Sequence, residues 1–269
     1  MIKIIVCGAA GRMGKRIIAC AEDEEGLEIT GAVEWSGHSD LGIDAGELSG
    51  RGKIAVPLTD DLSAVIEGGD VVIDFSSPES SLANAAVAAK YHKSLVVGTT
   101  GFSPEEETLL EETVKEISCI FSPNMSVGVN LLFRLVEEVA GTLGDDYDIE
   151  IVEAHHRMKK DAPSGTAAKL AQYAAAGRER NLSDIAIYGR EGMVGERPRG
   201  EIGIHAVRAG DIVGEHTVIF STPGERIELI HRAHSRDTFA RGALRAARFA
   251  VNAVPGLYNM QDILKIGEK

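Results

Sequence analysis

The sequence predicts an α/β protein in which a doubly wound parallel sheet is followed by a second domain of the α+β type. Two observations support this fold class. Apolar runs of strand length alternate with helix patterns up to about residue 126, and short strand candidates with tight turns follow a long helix after that point. A chain of 269 residues also has room for two hydrophobic cores.

Strand and helix candidates alternate throughout the first half. Ile2 to Cys7 is a continuous apolar run, as expected for a strand buried on both faces. Ser77-Pro78 and Ser103-Pro104 each place an N-capping serine before a proline at the first helical position. Thr59 is expected to cap a short helix that ends at Gly68-Gly69. The remaining candidates are a helix at residues 12–21 and strands at 27–33, 70–75, 95–97 and 117–121. This alternation predicts a parallel sheet with right-handed crossovers.

The pattern changes after residue 126. A long helix is predicted over residues 127–143, and residues 147–154 alternate apolar and polar side chains as a half-buried strand does. Three further strand candidates come later: residues 201–208, 215–220 and 225–232. Their connecting turns contain Gly210-Asp211 and Pro223-Gly224, so an antiparallel meander is expected in a mixed or antiparallel sheet. A final helix is predicted over residues 236–251.

Composition and charge exclude several classes of protein. The net charge of −13 argues against nucleic acid as a partner, because phosphate binding requires a basic face. No apolar run approaches the length of a membrane span, and the first strand reaches a glycine turn too soon for a signal peptide. We therefore expect a cytoplasmic protein with no membrane partner. Cys7, Cys20 and Cys119 form neither a metal-type pair nor a disulfide framework, and no metal is expected.

A glycine-rich turn links the first strand to the first helix. Its residues are Gly8, Ala9, Ala10, Gly11, Arg12, Met13 and Gly14. Glycine allows a tight turn and close approach of the backbone, while the helix N–H groups and dipole attract a pyrophosphate. The spacing G-x-x-G-x-x-G differs from the common G-x-G-x-x-G fingerprint, so a purely structural turn is the alternative. The strand–turn–helix context nevertheless predicts that residues 8–13 bind a dinucleotide, as in a Rossmann-like domain.

The end of the second strand bears on the choice of cofactor. Glu34 lies 20 residues after Gly14, where an acidic residue accepts hydrogen bonds from the adenosine ribose. The next position, where the 2′-phosphate of NADP requires a cation, holds Trp35, which offers adenine a flat apolar face. NADH is therefore the preferred cofactor, and NADPH stays open because Arg12 could partly compensate. The alternative for Trp35 is an ordinary loop residue packed on the domain surface.

Two further loops follow strands that should end at the same edge of the sheet. One contains Gly98, Thr99 and Thr100, and the other contains Ser122, Pro123, Asn124 and Met125. Ligands of open parallel sheets bind outside the carboxyl ends of the strands. These loops are therefore predicted to hold the nicotinamide and its ribose, although either alone could be a simple connection.

The densest polar segment of the chain runs from Glu153 to Thr166. Two histidines, one arginine and two lysines lie within the six residues from His155 to Lys160, and such crowding of cations indicates an anionic ligand. Mutual repulsion lowers the pKa of a lysine or histidine and makes it a better proton donor near neutral pH. Pro163-Ser164-Gly165-Thr166 then opens a helix, whose N-terminal N–H groups suit a carboxylate.

Other interpretations of this segment stay open. Adjacent histidines can bind zinc, but there is no i,i+4 pair and no nearby cysteine. A charged segment is often a solvated turn, which is the expectation for Lys160. A nucleophile pair of Ser164 and a histidine would lack the strand–turn–helix elbow and a third partner. Four later histidines are expected in surface or packing positions: His205, His216, His231 and His234.

Taken together, these segments resemble the dihydrodipicolinate reductase (4-hydroxy-tetrahydrodipicolinate reductase) family of bacterial lysine biosynthesis. The resemblance spans nearly the whole chain, and its most specific part is the run Glu-Ala-His-His-Arg…Lys…Asp-Ala-Pro-Ser-Gly-Thr from Glu153 to Thr166. Further matching segments are residues 8–14, 74–76, 98–102, 124–130 and 208–216.

The resemblance implies NAD(P)H-dependent reduction of a cyclic unsaturated imine dicarboxylate to tetrahydrodipicolinate, with hydride from the nicotinamide C4. It implies that His155 and Lys159 transfer the proton. His156 and the backbone of Gly165 and Thr166 would hold the carboxylates of this small-molecule substrate. Many members have an arginine where this chain has Trp35, which places use of NADPH in question.

The resemblance also implies a domain organisation and an assembly. A discontinuous dinucleotide-binding domain would comprise residues 1–126 plus 236–269, because the final helix of the family returns to the first domain. Residues 127–235 would form the substrate-binding and oligomerisation domain, and its sheet would assemble a homotetramer.

Two rival functions come from other classes. A dehydrogenase acting on a sugar or an amino-acid semialdehyde would share the first domain without needing the segment from His155 to Thr166. The Glu-Lys-Pro motif of sugar oxidoreductases is absent after Val97. A non-catalytic redox sensor could also bind NAD through the glycine turn.

Overall fold

The computed structural model describes residues 1–264. These residues form two compact units, one comprising Met1–Val127 with residues 236–264, and one comprising Gly128–Ser235. Each unit has its own sheet and its own hydrophobic core. No helix in this described part of the chain is long and apolar enough to cross a membrane.

The elements are numbered along the chain. The strands are β1 (Ile2–Cys7), β2 (Leu27–Val33), β3 (Leu58–Thr59), β4 (Val71–Asp74), β5 (Ser94–Val97), β6 (Ser118–Phe121), β7 (Asp148–His155), β8 (Ala186–Tyr188), β9 (Ile202–Arg208), β10 (Gly214–Thr222), β11 (Glu225–Ala233) and β12 (Gly256–Tyr258). The α-helices are α1 (Arg12–Ala21), α2 (Ala45–Ser49), α3 (Leu62–Val65), α4 (Pro78–Lys90), α5 (Pro104–Thr113), α6 (Val127–Leu143), α7 (Gly165–Gly177), α8 (Leu182–Ile185), α9 (Asp237–Ala250) and α10 (Met260–Leu264).

The first unit is built on a seven-stranded sheet with the order β12-β6-β5-β4-β1-β2-β3. All of its described strand pairs are parallel, which confirms the predicted doubly wound sheet. Sequence patterns did not indicate β3 and β12, because strands of two and three residues are too short to show a period.

Helices cover both faces of this sheet. Ile4 and Val6 of β1 enter one core cluster with residues of α1 and α9. Ile5 and Cys7, which point the opposite way, enter a second cluster with residues of α4 and α5. Burial on both faces is the reason that β1 is a continuous apolar run rather than an alternating one.

Helix caps were predicted correctly at two helices and wrongly at a third. Ser77 and Ser103 cap α4 and α5, and Ser103 forms a capping box with Glu106. Thr59 does not cap α3, because it belongs to β3. Asp61 is the cap instead, and its Oδ1 accepts a hydrogen bond from the Ser63 nitrogen at 2.8 Å.

The second unit contains a mixed five-stranded sheet with the order β11-β10-β7-β9-β8. The predicted antiparallel meander is wrong in part. β10 and β11 do form an antiparallel hairpin, but β7 lies between β9 and β10 and pairs in parallel with β9. The connection from β9 to β10 therefore crosses the end of β7 instead of making a hairpin. Ala209 on this connection donates to the His155 carbonyl at 2.9 Å, and Arg157 donates to the Gly210 carbonyl at 3.1 Å.

One face of the second sheet packs on α6 and α7. Ile149 and Ile151 of β7 point into this core, together with Val218 and Phe220 of the neighbouring β10. Glu153 is the next residue on the same side of β7 and is also fully buried. The alternation predicted for β7 is confirmed, and it places a carboxylate in line with the apolar core.

Candidate active site

The glycine turn lies at the carboxyl end of β1, where the winding of the sheet reverses between β2 and β4. Gly8 has a φ angle of +74°, a left-handed value that favours glycine. A Cβ on Gly14 would lie 2.2 Å from the Gly8 carbonyl oxygen, so α1 approaches the turn only because Gly14 lacks a side chain. Arg12 and Met13 begin α1, where helix N–H groups have no acceptor within the helix. This geometry suits a pyrophosphate.

The carboxylate of Glu34 lies against the turn. Its Oε2 accepts a hydrogen bond from the Ala10 nitrogen at 3.1 Å, and its Oε1 accepts one from the Trp35 nitrogen at 3.2 Å. Ala9 is buried and donates its N–H to the Val33 carbonyl, so its role is to shape the turn. The predicted ribose-binding and pyrophosphate-binding residues are therefore adjacent.

A cavity of about 510 Å³ opens beside the turn and Glu34. The predicted cofactor residues that line it are Gly8, Gly11, Glu34 and Trp35. The cavity is also lined by polar residues that the sequence did not indicate as cofactor-binding: Asp60, Ser76, Ser77, Ser80 and Asn84. Ser76 and Ser77 follow β4, so the rule that ligands bind at strand ends could have found them. A glycine turn, a carboxylate and several hydroxyls around one cavity fit a dinucleotide.

Trp35 stands at the rim of this cavity and is 63% exposed. Its ring lies over Gly37 and meets the His38 ring edge-on, with 6.1 Å between centroids. The described lining of the cavity includes the carboxylates of Glu34 and Asp60 and no lysine or arginine. The local charge therefore opposes an added phosphate.

A buried polar network centred on Asp74 holds the loops that follow β4 and β5. Asp74 Oδ1 accepts from the N–H and hydroxyl of Ser76 at 2.9 and 2.6 Å, and its Oδ2 accepts from Asn84 at 2.7 Å. The Thr99 hydroxyl accepts from the Ser76 nitrogen at 3.0 Å and from the Ser81 hydroxyl at 2.8 Å. Burial raises the pKa of Asp74, although the bonds from Ser76 and Asn84 oppose that shift. The Thr99 side chain thus serves this network.

The loops after β5 and β6 expose only some of the predicted residues. Those with exposed or half-buried surface are Gly98, Thr100, Pro123 and Asn124. Ser122 is buried and donates its hydroxyl to the Asn124 carbonyl at 3.0 Å. Met125 is buried in the core of the first unit, so its side chain supports the loop.

The second unit brings five polar side chains together at the end of β7. His155 Nδ1 lies 2.6 Å from Glu153 Oε2, and the His155 ring meets the His216 ring edge-on at 5.2 Å. His216 Nε2 lies 3.1 Å from the Ser164 hydroxyl. Arg208 pairs with both oxygens of Glu153 at 2.8 Å. The cluster forms because β9, which carries Arg208, and β10, which carries His216, lie on either side of β7.

Lys159 lies in the turn that follows β7. Its N–H donates to the His156 carbonyl at 3.1 Å, and its Nζ lies 2.8 Å from Asp161 Oδ2. Its charge is close enough to act on the pKa of His155. Lys160 is exposed, as expected for a solvated turn residue.

The predicted carboxylate-binding residues Gly165 and Thr166 begin α7. Ser164 is the N-cap, and its hydroxyl accepts a hydrogen bond from the Ala167 nitrogen at 3.1 Å. His156 is half-buried on the turn that precedes this helix. A helix start with a glycine at its first position leaves room for an anionic group beside its N–H groups.

The charge states of the cluster follow from its surroundings. Burial alone would raise the pKa of Glu153, but hydrogen bonds from Arg208 and His155 outweigh it and lower the pKa. Burial lowers the pKa of His155, and together with the cations of Lys159 and Arg208 it outweighs the hydrogen bond and charge of Glu153, which raise the pKa. Burial also lowers the pKa of His216, to about 3. At neutral pH the site therefore contains an ionised carboxylate and two neutral imidazoles.

Three residues of this cluster went unrecognised in the sequence. His216 is not an ordinary surface or packing residue, because it is 4% exposed and lies between His155 and Ser164. Glu153 and Arg208 were not assigned a role. A signal was present for Glu153 and His216, since each occupies an inward position of an alternating strand where an apolar residue is expected.

Comparison with known proteins decides the family. The model for the N-terminus of dihydrodipicolinate reductase matches residues 2–125, and the model for its C-terminus matches residues 128–264. The chain belongs to the dihydrodipicolinate reductase family. This confirms the resemblance seen in the sequence.

Individual relatives of this dihydrodipicolinate reductase family member match nearly its whole length. Proteins named 4-hydroxy-tetrahydrodipicolinate reductase from Syntrophus aciditrophicus and Geobacter sulfurreducens are 54% and 55% identical to it over 264 residues, which is 98% of the chain and 98% and 99% of the relatives. A solved structure described as dipicolinate-bound dihydrodipicolinate reductase from Paenisporosarcina sp. TG-14 shares the fold, with a TM-score of 0.76 and 24% identity over 97% of this chain and 98% of that one.

Membership of the dihydrodipicolinate reductase family makes this chain a nicotinamide-dependent oxidoreductase. The family works in the diaminopimelate route of lysine biosynthesis. The family match also rejects both rival functions, the dehydrogenase of sugars or semialdehydes and the non-catalytic sensor.

Proposed function

We propose that this chain uses NADH to reduce 4-hydroxy-tetrahydrodipicolinate to tetrahydrodipicolinate, with the proton supplied by the His155–Lys159 pair. The observation that carries the proposal is the cluster at the end of β7. A neutral histidine held by an ionised carboxylate lies near a lysine and on the same segment as the start of α7. An acid and a binding site for carboxylates are therefore present in one short stretch of chain.

The first unit is the proposed dinucleotide-binding domain. The turn of Gly8 to Met13 would hold the pyrophosphate, and Glu34 would accept the ribose hydroxyls. The loops at residues 98–100 and 122–125 would frame the nicotinamide, which supplies a hydride from its C4 when bound. The two carboxylates that line the cavity, Glu34 and Asp60, support NADH over NADPH.

The second unit is the proposed substrate-binding domain. A cyclic dicarboxylate requires two anion-binding groups, and we assign them to His156 and to the N–H groups of Gly165 and Thr166 at the start of α7. The dipicolinate bound to the Paenisporosarcina relative is a small cyclic dicarboxylate of the same kind, which supports this choice of substrate.

Proton transfer is assigned to His155 and Lys159. Loss of the 4-hydroxyl as water gives the conjugated ring. Addition of hydride to that ring leaves an enamine carbon that must be protonated. Lys159 is the proposed donor to this carbon, and the free ring nitrogen of a neutral His155 is proposed to relay a proton from solvent back to the lysine after the transfer. Asp161 keeps the Lys159 ammonium in place through their ion pair at 2.8 Å.

We also propose that the second unit assembles a homotetramer. One face of its sheet is covered by α6 and α7, while the other carries Val152, Val207, Ile219 and Ile230. Val207 and Ile230 are each 44% exposed, and exposed apolar side chains on this mixed polar and apolar face favour association. Light scattering should give the mass of four chains of 28.6 kDa, and the mass of a single chain would refute the proposal.

The activity is tested by consumption of NADH in an assay coupled to the synthase that makes the unstable substrate. We expect consumption that depends on both the synthase and this protein. Absence of consumption at saturating NADH, with the synthase shown to be active, would reject the proposed function.

A further inference from the structure

The carboxylate of Glu153 is fully buried and all of its acceptor positions are used. Oε2 accepts from His155 Nδ1 at 2.6 Å and from Arg208 Nη1 at 2.8 Å. Oε1 accepts from the Ser164 nitrogen at 2.9 Å and from Arg208 Nη2 at 2.8 Å. Burying a charge costs free energy unless the charge is paired and hydrogen-bonded. Both oxygens of this carboxylate have their hydrogen-bond partners.

We propose that Glu153 is the positioning residue of this site, a buried carboxylate that sets the tautomer of His155 and fixes the segments that carry the proton donor and the carboxylate-binding helix start. The inference rests on the proposed function and deepens it. Glu153 does not touch the substrate in this scheme, and it acts through His155, Arg208 and Ser164.

The tautomer follows from the chemistry of the partners. An ionised carboxylate only accepts hydrogen bonds, so His155 must carry a proton on Nδ1 in its contact with Glu153. In the neutral ring, Nε2 then has the lone pair. A Cβ added to Gly214 would lie 3.1 Å from Nε2, so the glycine at the start of β10 leaves the space in front of that atom open. Glu153 thereby presents Nε2 of His155 as the atom that exchanges a proton.

Glu153 also connects the chain segments of the site. Its bond to the Ser164 nitrogen fixes the N-cap of α7, directly before Gly165 and Thr166. Its partner Arg208 donates in turn to the Asp161 carbonyl at 2.6 Å, and Asp161 holds the Lys159 ammonium at 2.8 Å. One carboxylate thus sets the position of the histidine directly and of the lysine through two further contacts.

Because charged groups surround His155, the proposal can be tested through the dependence of kcat on pH. Four titratable or charged groups act on His155: Glu153 from its own strand, Lys159 from the following turn, Arg208 from β9 and His216 from β10. Glu153 is the one anion among these four. Its replacement by a neutral residue leaves His155 facing cations and a neutral ring, so the pKa of His155 must fall.

The test compares Glu153→Gln with Glu150→Gln on the same strand. Glu150 faces the opposite side of the sheet, where it holds Arg190, Arg197 and His205 in a comparable way. We expect kcat of Glu153→Gln to fall on the order of 100-fold, as when a positioning carboxylate of a histidine is lost. Protonation of His155 removes the neutral ring that the scheme requires, so a lower His155 pKa should move the acidic limb of the kcat profile of this variant to lower pH. Its Kd for NADH should stay at the wild-type value. Glu150→Gln should keep the wild-type kcat and pH profile.

Each outcome of this comparison has a consequence. Wild-type kcat and an unshifted profile in Glu153→Gln would overturn the positioning role. Equal losses of kcat in both variants would also overturn it, because they would indicate a general structural effect. Loss of NADH consumption in the wild type itself would instead reject the proposed function.

A measurement on the wild type keeps the proposal testable if Glu153→Gln does not fold. Nitrogen NMR of protein labelled with ¹⁵N-histidine reports which ring nitrogen of His155 carries the proton, with its signals assigned by their loss in His155→Gln. We expect Nδ1 to be protonated and Nε2 to be bare at neutral pH. A proton on Nε2 with a bare Nδ1 would contradict the inference.

Discussion

Glu34 Oε2 accepts a hydrogen bond from the Ala10 nitrogen at 3.1 Å, so the acidic residue after β2 is fixed against the turn after β1. The carboxylate stands beside the cavity that the glycine turn lines, and Asp60 adds a second negative charge to the same cavity. A cofactor that carries an additional phosphate at the adenosine ribose meets these charges directly.

NADH should therefore exceed NADPH in kcat/KM. We expect a preference on the order of tenfold, because a like-charge contact of about 1.4 kcal/mol corresponds to that factor. Trp35→Arg should reduce the difference in kcat/KM between NADH and NADPH, because it adds a cation for the 2′-phosphate. Trp35→Leu removes the ring without adding charge and should leave that difference unchanged. Steady-state kinetics with both cofactors measure the effect. A wild-type preference for NADPH would refute the role given to Glu34 and Trp35.

Gly14→Ala should abolish tight NADH binding. The added Cβ would lie 2.2 Å from the Gly8 carbonyl oxygen and 2.6 Å from the Ala9 Cα, and backbone atoms cannot move aside as a flexible side chain can. We expect the free energy of unfolding to fall by about 1–3 kcal/mol, the usual cost of overpacking. Gly68→Ala is the control, since a Cβ there would meet no atom within 4 Å. The Kd for NADH is measured by titration and the free energy of unfolding by urea. Equal values for Gly14→Ala and Gly68→Ala would contradict this prediction.

Lys159→Ala should lower kcat by about 100-fold to 10,000-fold, the range of general acid catalysis, and should leave the Kd for NADH unchanged. Lys159 is the lysine whose ammonium is held by Asp161, and its neighbour Lys160 is exposed. Lys160→Ala is therefore the matched control and should retain wild-type kcat. Near-normal turnover of Lys159→Ala would remove this lysine from the mechanism.

The stability of the protein should depend on pH through Glu150. Burial alone would raise the pKa of this carboxyl, but hydrogen bonds from Arg190, His205 and Arg197 outweigh it and lower the pKa from 4.5 to about 2. A folded-state pKa below the unfolded one stabilises the fold above about pH 4.5, and this contribution is lost as the pH falls towards about 2. Its size is up to about 3 kcal/mol.

Urea unfolding at about pH 6 and about pH 3 tests this dependence. Glu150→Gln should destabilise the protein at the higher pH and should show a smaller loss of stability on acidification than the wild type. Glu215→Gln is the control, because the ion pair of Glu215 with Arg232 is exposed and worth little. An acid response of Glu150→Gln identical to that of the wild type would contradict the assignment.

Most of the longer strands and helices of the first unit could be predicted because their signals are local. A strand buried on both faces, such as Ile2 to Cys7, is a continuous apolar run. The caps at Ser77 and Ser103 are indicated by the proline that directly follows each serine. The order of strands in the second unit could not be predicted in this way. The short connection between β9 and β10 is compatible with a hairpin. The two strands are separated because each pairs with β7, which is distant in sequence, and their connection therefore crosses the end of β7.

The same long-range pairing explains what was missed in the site. His155 and Lys159 were identified because they lie in one dense polar segment. Arg208 and His216 are more than fifty residues away in sequence, and they reach His155 because β9 and β10 flank β7. Glu153 lay inside the segment, but its role depends on Arg208 and could not be inferred without that partner.

Transfer of deuterium from the nicotinamide C4 to the product tests the central claim most directly. The protein is mixed with NADH deuterated at the transferred C4 position and with the fresh product of the coupled synthase, and the tetrahydrodipicolinate formed is analysed by mass spectrometry. We expect consumption of NADH with incorporation of a single deuterium into that product. Binding of NADH without its oxidation, or a product without deuterium, would contradict the account.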